Sequence, residues 1–248
     1  MVQQNAVAFS WETNNAAAFW SSKALGSLGH RPPHGAHDDA CCGPLATEKR
    51  LQFWNGRQIP CAQVHGKDVV VVDAATKVPT VGGDSPQGDA LVTRQANIGL
   101  AIATADCGPV ALFSDPVVGA AHAGWKGLVG GVLGATANAM RELGAQDISA
   151  VIGPCICPNC YEFDDLQMLN AFERRWGASV RRSTNTGAPS FDLRAAIASE
   201  CAELDISVLN GDRLDEVPCT ACSEGFFSYR ARAEKGRQSM IVWRKEHA

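Results

Sequence analysis

Short runs of apolar, largely β-branched residues crowd the middle of the chain, at Val69–Val72, Ala90–Thr93, Ile98–Thr104, Val110–Phe113 and Val117–Ala121, each bounded by Gly, Asp or Pro. Runs of this kind with turn residues between them predict closely spaced strands of a sheet. A hairpin across Ser114-Asp115-Pro116 would return the chain to its starting edge. From Leu128 the period changes: Leu128, Val132, Ala135, Ala139 and Leu143 recur at helical spacing, and Gly144 supplies the stop. Further helices are predicted over Asp165–Trp176 and Asp192–Leu204, the latter N-capped by Asp192, and further strands over Ala150–Ile152, Ile206–Leu209 and Gln238–Trp243. Strands gathered centrally with helices after them predict an α+β fold rather than strict βαβ alternation. The stretch Gly26–Gly43 reads as a long loop, and no internal repeat is visible.

With 248 residues the chain can bury a substantial core, and the absence of an obvious linker predicts a single domain over 1–248. A net charge of −4 without any Lys/Arg block gives no footprint for a nucleic acid or an anionic membrane, so small molecules are the expected partners. The N-terminal residues lack the basic start and apolar core of a signal peptide, and no segment reaches the roughly 18 apolar residues of a membrane span, so a cytoplasmic protein is expected. The ten cysteines then read as thiols in a reducing compartment. Cys155, Cys157, Cys160 and the pair Cys219, Cys222 offer C-x-x-C spacings, but the two pairs stand far apart beyond a helical region, and they are expected to be small thiols packed in tight turns.

Six histidines narrow the chemistry. His30, His34 and His37 fall in the Gly/Pro loop, with no helical face to converge them, and His247 is in the tail. His65, Cys107 and His122 remain, each expected at a strand end near a glycine. Two His and one Cys suit a zinc ion with a fourth position open for water or substrate. The same atoms also suit a nucleophilic Cys107 with His122 as its base, as in a cysteine hydrolase or amidase, for instance one acting on a peptidoglycan precursor. A non-catalytic metal-binding module is the third class. A multicopper centre would need about ten histidines in H-x-H pairs, so any copper-dependent polyphenol oxidase activity would come from Cu2+ entering the open site in vitro.

The motifs "QVHG", "GDALVT", "TADCGPVALF", "AAHAGWKG", "IGPCICPNCYEF", "FDLRAA" and "FFSYR", in this order between Gln63 and Arg230, resemble the YfiH or laccase-domain family, formerly called polyphenol oxidases and now described as purine nucleoside phosphorylases. The resemblance implies layered mixed β-sheets covered by helices and a site zinc held by His65, Cys107 and His122. It implies phosphorolysis of adenosine, inosine, guanosine and S-methyl-5'-thioadenosine, with adenosine deamination alongside. Purine nucleosides and phosphate are then the expected partners. Asp106, beside Cys107, is a candidate proton carrier for deamination or a residue that orients a ligand, and Lys126, Arg230 and Arg237 are candidates for phosphate. Residues 1–60 depart from the family pattern, and Lys126 stands where the family has Arg.

Overall fold

The structure, a computed structural model, describes residues 7–28, 54, 56–79 and 85–246. His30, His34, His37, Cys41, Cys42 and His247, and most of the predicted Gly26–Gly43 loop, lie outside the described residues.

Two mixed sheets and a helical layer make up the fold. One sheet has five strands in the order β1 (Val7–Glu12), β2 (Ala16–Ser21), β13 (Gln238–Arg244), β6 (Ile98–Thr104) and β3 (Arg57–Pro60). The other has six, in the order β12 (Ser207–Val208), β9 (Ser149–Ile152), β7 (Gly108–Phe113), β8 (Val118–Ala123), β5 (Ala90–Thr93) and β4 (Val69–Val72). β10 (Arg181–Ser183) and β11 (Pro189–Phe191) form a separate antiparallel ribbon.

The six-stranded sheet is the middle layer, and the alternation of its side chains shows why. Along β7, Ala111 and Phe113 pack with Trp20, Ile59, Leu100 and Met240 of the five-stranded sheet, while Val110 and Leu112 pack on the other face with residues of the helices. A strand covered on both faces can be apolar at every position, which is why β7 and β8 read as unbroken runs instead of alternating ones. The far face of the five-stranded sheet carries a third cluster, in which Leu28, Ala101 and Ile241 meet Phe19, Trp54 and Trp243.

The predicted β7–β8 hairpin forms, with Gly108 opposite Ala123 and Pro109 opposite His122. The long helix predicted from Leu128 is instead two: α1 (Trp125–Gly130) starts three residues earlier, and α2 (Val132–Glu142) follows Gly131. Gly131 sits at φ 87, a left-handed conformation that interrupts the helical period and that glycine adopts without Cβ strain. α3 (Leu166–Trp176) and α4 (Leu193–Glu203) match their predicted spans, and Asp192 caps α4 by accepting from the Ala195 N–H. A last short turn of helix is α5 (Tyr229–Arg232). The strand predicted at Ile206–Leu209 shrinks to Ser207–Val208, paired in parallel with β9.

Two connections pass from the five-stranded sheet to the six-stranded one: β3 to β4, through residues 61–68, and β6 to β7, through residues 105–107. Both end up beside the same end of β8.

Candidate metal centre and pocket

His65, Cys107 and His122 come together, with one ligand-type atom from each within 4.8 Å of the others. His122 lies in β8 and Cys107 follows the β6 strand end, as expected. His65 does not sit at a strand end: β3 stops at Pro60, and His65 stands in the crossing that leads to β4. The reason is local. The Gln63 side-chain amide binds the backbone of Ala103 in β6, donating to its carbonyl at 2.8 Å and accepting from its N–H at 2.9 Å, which fastens the crossing as an irregular loop on the sheet edge.

Two residues of the site adopt backbone conformations that L side chains rarely take, His65 at φ 61 and Asp106 at φ 86. Each is held by an aspartate. The fully buried Asp89 accepts the successive N–H groups of Val64, His65 and Gly66 at 3.1, 2.9 and 2.7 Å, a concave run of donors closed on one carboxylate. Its Oδ1 also lies 2.8 Å from His122 Nδ1. That contact directs the imidazole and leaves Nε2 as the nitrogen available to the cluster. Asp89 was missed as a site residue in the sequence because it acts mainly through backbone donors; the "GDALVT" motif was the one signal for it.

Asp106 is 8% exposed, and both its carboxylate oxygens are engaged: Oδ1 accepts from Thr220 Oγ1 and Ser228 Oγ, both at 2.7 Å, and Oδ2 from the Arg230 N–H at 2.7 Å. These bonds draw the 220–230 segment against the Cys107 turn. A small residue is required beside the cluster as well. A Cβ on Gly124 would lie 2.9 Å from Cys107 Sγ and 3.2 Å from His65 Cδ2.

The electrostatics favour charge separation. Burial pushes the Cys107 thiol upward, but the imidazoles of His122 and then His65 outweigh it and bring the pKa down from 9.0 to about 6. Burial likewise disfavours a charged His122, yet the Cys107 thiolate and the Asp89 carboxylate raise it from 6.5 to about 9. Near neutral pH the pair is therefore thiolate and imidazolium. Cys107 Sγ lies 3.9 Å from His65 Nε2, and the two imidazole rings meet edge to face with centroids 4.8 Å apart. Two nitrogens and a thiolate sulfur at these separations are a donor set suited to a transition-metal ion.

The cluster forms part of the wall of a pocket of about 470 Å³, within the range of small-molecule sites. All three predicted cations line it, in different states. Arg230 stacks on Tyr161, its guanidinium carbon 5.0 Å from the ring centroid, and donates to the Glu162 carbonyl at 2.7 Å. Lys126 is exposed, with its ammonium 5.5 Å from the Trp125 ring centroid. Arg237 is tied down, with Nη1 donating to the carbonyls of Glu234, Lys235 and Gly236 at 2.8 to 3.2 Å. Gln63, Trp125, Tyr161 and Tyr229 also line the pocket and were not singled out from the sequence.

One expectation is corrected outright. Cys157, Cys160, Cys219 and Cys222, expected to be thiols packed in turns, form a second cluster with all four sulfurs within 4.8 Å of one another. The sequence separation that argued against it is closed by the fold, which lays the segment after β9 against the segment before α5: Cys155 N–H donates to the Pro218 carbonyl at 3.2 Å and Thr220 N–H to the Cys155 carbonyl at 3.3 Å. Cys155 itself is not among the four and is fully buried in the core.

Residues 46–245 match the family model described as multi-copper polyphenol oxidoreductase laccase. The chain is 35% identical over 246 residues to a purine nucleoside phosphorylase of Streptomyces griseus, covering 94% of this chain and 91% of that one. It is 40% identical over 186 residues to a purine nucleoside phosphorylase of Streptomyces coelicolor, covering 73% and 72%. The crystal structure of YlmD from Geobacillus stearothermophilus superposes with a TM-score of 0.72 at 28% identity, covering 99% of both chains. A protein from Neisseria meningitidis has the same fold, with a TM-score of 0.76 at 24% identity over 96% of this chain and 99% of that one. No helix among the described residues is long and apolar enough to cross a membrane. With the model match spanning most of its length and relatives at 35% and 40% identity that cover 94% and 73% of it, the chain belongs to the laccase-domain, or YfiH, family.

Proposed function

We propose that this protein is a zinc-dependent purine nucleoside phosphorylase, converting adenosine, inosine, guanosine or S-methyl-5'-thioadenosine and phosphate to the free base and the 1-phosphate of the sugar. The observation that carries this reading is the meeting of His65, Cys107 and His122 on the wall of a pocket that also presents Arg230 and Lys126. The names of the two Streptomyces relatives support it.

The residues fit the metal. His65, Cys107 and His122 would hold it, and three protein ligands leave a position open, the layout of a catalytic zinc. When bound, zinc would supply Lewis-acid chemistry to the pocket. The rest follows from the chain itself. Breaking the N-glycosidic bond develops positive charge on the sugar and negative charge on the departing purine, so the attacking phosphate must be held close to the sugar. Arg230 fits that task, because stacking on Tyr161 and the bond to the Glu162 carbonyl fix its planar fork before phosphate arrives. Lys126 adds a point charge, and Arg237 acts chiefly by bracing the loop whose carbonyls it binds. Trp125 and Tyr229 give the pocket aromatic surface on which a purine can lie.

Asp106 is a positioning residue in this scheme. With three short hydrogen bonds to its carboxylate it fixes the Cys107 turn and the start of α5.

The test is product analysis with inosine or adenosine and phosphate. Ribose 1-phosphate should form only when phosphate is present, and Arg230→Met should raise the KM for phosphate. A second reading is favoured by one observation, the approach of Cys107 and His122 with their ligand-type atoms within 4.8 Å, an arrangement that lowers the thiol's pKa and also suits a cysteine hydrolase or amidase. That reading predicts unaltered nucleosides, no dependence on phosphate and an acyl intermediate trapped on Cys107.

A further inference from the structure

The second sulfur cluster has the features of a site built for an ion and not for apolar packing. Among the described residues the buried thiols, Cys61, Cys155 and Cys201, belong to the hydrophobic clusters. Cys160 and Cys219 lie only at the margin of the core, Cys157 is partly covered and Cys222 is exposed, so full apolar burial does not account for gathering all four. Yet Cys157 Sγ and Cys160 Sγ approach Cys222 Sγ to 3.8 and 3.3 Å. Four sulfurs placed tetrahedrally about 2.3 Å from a zinc ion would stand about 3.8 Å apart.

Local backbone geometry points the same way. Each pair is a Cys-x-x-Cys turn. The first is wound by the short 3-10 turn Pro158–Cys160, and in the second the Cys222 N–H points back at Cys219 Sγ at 3.4 Å. The Cys157 N–H reaches the same sulfur from the other turn at 3.2 Å. Donors converging on a sulfur stabilise it as a thiolate, the form a metal requires. A disulfide would join one pair and leave two thiols beside it, whereas here all four sulfurs converge.

We infer that Cys157, Cys160, Cys219 and Cys222 hold a zinc ion as a structural tetrathiolate site, separate from the His65, Cys107 and His122 cluster. With four protein ligands it has no open position for substrate. Its effect is architectural. It clips the segment after β9 to the segment before α5, next to groups that shape the pocket: Tyr161 follows Cys160 directly, Thr220 donates to Asp106, and Arg232 binds the Thr220 and Ala221 carbonyls at 3.0 Å each.

The experiment counts metal in the full-length chain. Cys222→Ser, leaving the other cluster intact, should lose one zinc equivalent relative to the parent and should melt at a lower temperature. In the complementary chain carrying His65→Ala, Cys107→Ala and His122→Ala, one zinc should survive dialysis, and cobalt(II) in its place should give the intense near-ultraviolet sulfur-to-cobalt bands and visible bands of a tetrahedral all-sulfur site. A Cys222→Ser protein with the parental zinc content would overturn the inference. So would peptide mapping of the freshly purified parent under non-reducing conditions that finds Cys160 and Cys222 joined as a disulfide. Because one variant removes only the outer site and the other only the pocket cluster, failure of the pocket zinc leaves this reading intact, and the reverse holds too.

Discussion

Asp89→Asn removes one charge and one acceptor while keeping the size of the side chain. The carboxylate now takes four partners: Oδ2 the N–H groups of Val64 and Gly66, and Oδ1 the N–H of His65 and the imidazole of His122. An amide has only one oxygen. If that oxygen keeps Val64 and Gly66, the NH2 group faces the His65 N–H, donor against donor, and can bond His122 only by donating to Nδ1. The imidazole proton then moves to Nε2, the nitrogen a metal must find bare. If the amide turns the other way, the Val64 and Gly66 N–H groups lose their acceptor. In either orientation at least one partly covered N–H loses its acceptor, at about 0.5–1.5 kcal/mol of stability. Loss of the partner that orients a ligating histidine lowers metal affinity by about 10–100-fold. Zinc competition against a fluorescent chelator, with thermal unfolding in parallel, reads both quantities. An affinity within about threefold of the parent, short of that range, would refute the claim that Asp89 sets the tautomer of His122.

Three further outcomes are expected. Between pH about 6 and about 9 Cys107 is already a thiolate while His122 still holds a proton, so zinc uptake near neutral pH should release about one proton, and affinity should climb about tenfold per pH unit across that window. Release of two protons or none, measured in weakly buffered solution, would contradict it; below the window the Cys107 proton must leave as well, and above it neither remains. Cys107 should be the fastest of the described cysteines to react with iodoacetamide once a chelator is added and should be protected by zinc, whereas Cys155 and Cys201, pushed up to about 11 and about 12 by burial, stay unlabelled; rapid labelling of Cys107 in the zinc-loaded protein would remove it from the ligand set. Gly124→Ala should lower zinc occupancy with little change in the melting temperature of the metal-free protein, because its Cβ would press on Cys107 and His65 and on little else, and normal occupancy by elemental analysis would contradict the close approach.

Cys107 and His122 were legible in the sequence because each stands near a glycine at the end of an apolar run, where strand ends gather, whereas His65 was picked out by the glycine beside it although the strand end expected there does not form. The central strands were legible for the same reason, as were α3 and α4, each opened by an aspartate cap. What could not be read depends on groups that sequence pattern does not carry. Asp89 acts through three backbone donors. The sulfur cluster depends on two turns brought together by the return of the chain after α4. β2 was missed because its Ala-Ala-Ala-Phe-Trp run lacks β-branched residues and is strand only by pairing with β1 and β13. The break in the helix at Gly131 was masked by apolar spacing that continues through it.

The two crossings between sheets have a consequence for the order in which the molecule assembles. His65 lies on one crossing and Cys107 on the other, while His122 belongs to the middle sheet. Cys107 and His122 draw together once the β7–β8 hairpin pairs Gly108 with Ala123, but the crossing that carries His65 is fastened from both sheets, by Asp89 on one and Ala103 on the other, so the full three-ligand pocket is fixed only when the two sheets have docked. Metal capture is thereby a reporter of completed layering. During refolding of the Cys222→Ser chain, in which the four-sulfur site is broken, cobalt should colour the protein only after the burial of Trp20 at the inter-sheet core, and colour that precedes the tryptophan signal would show that the ligands can gather on one sheet alone.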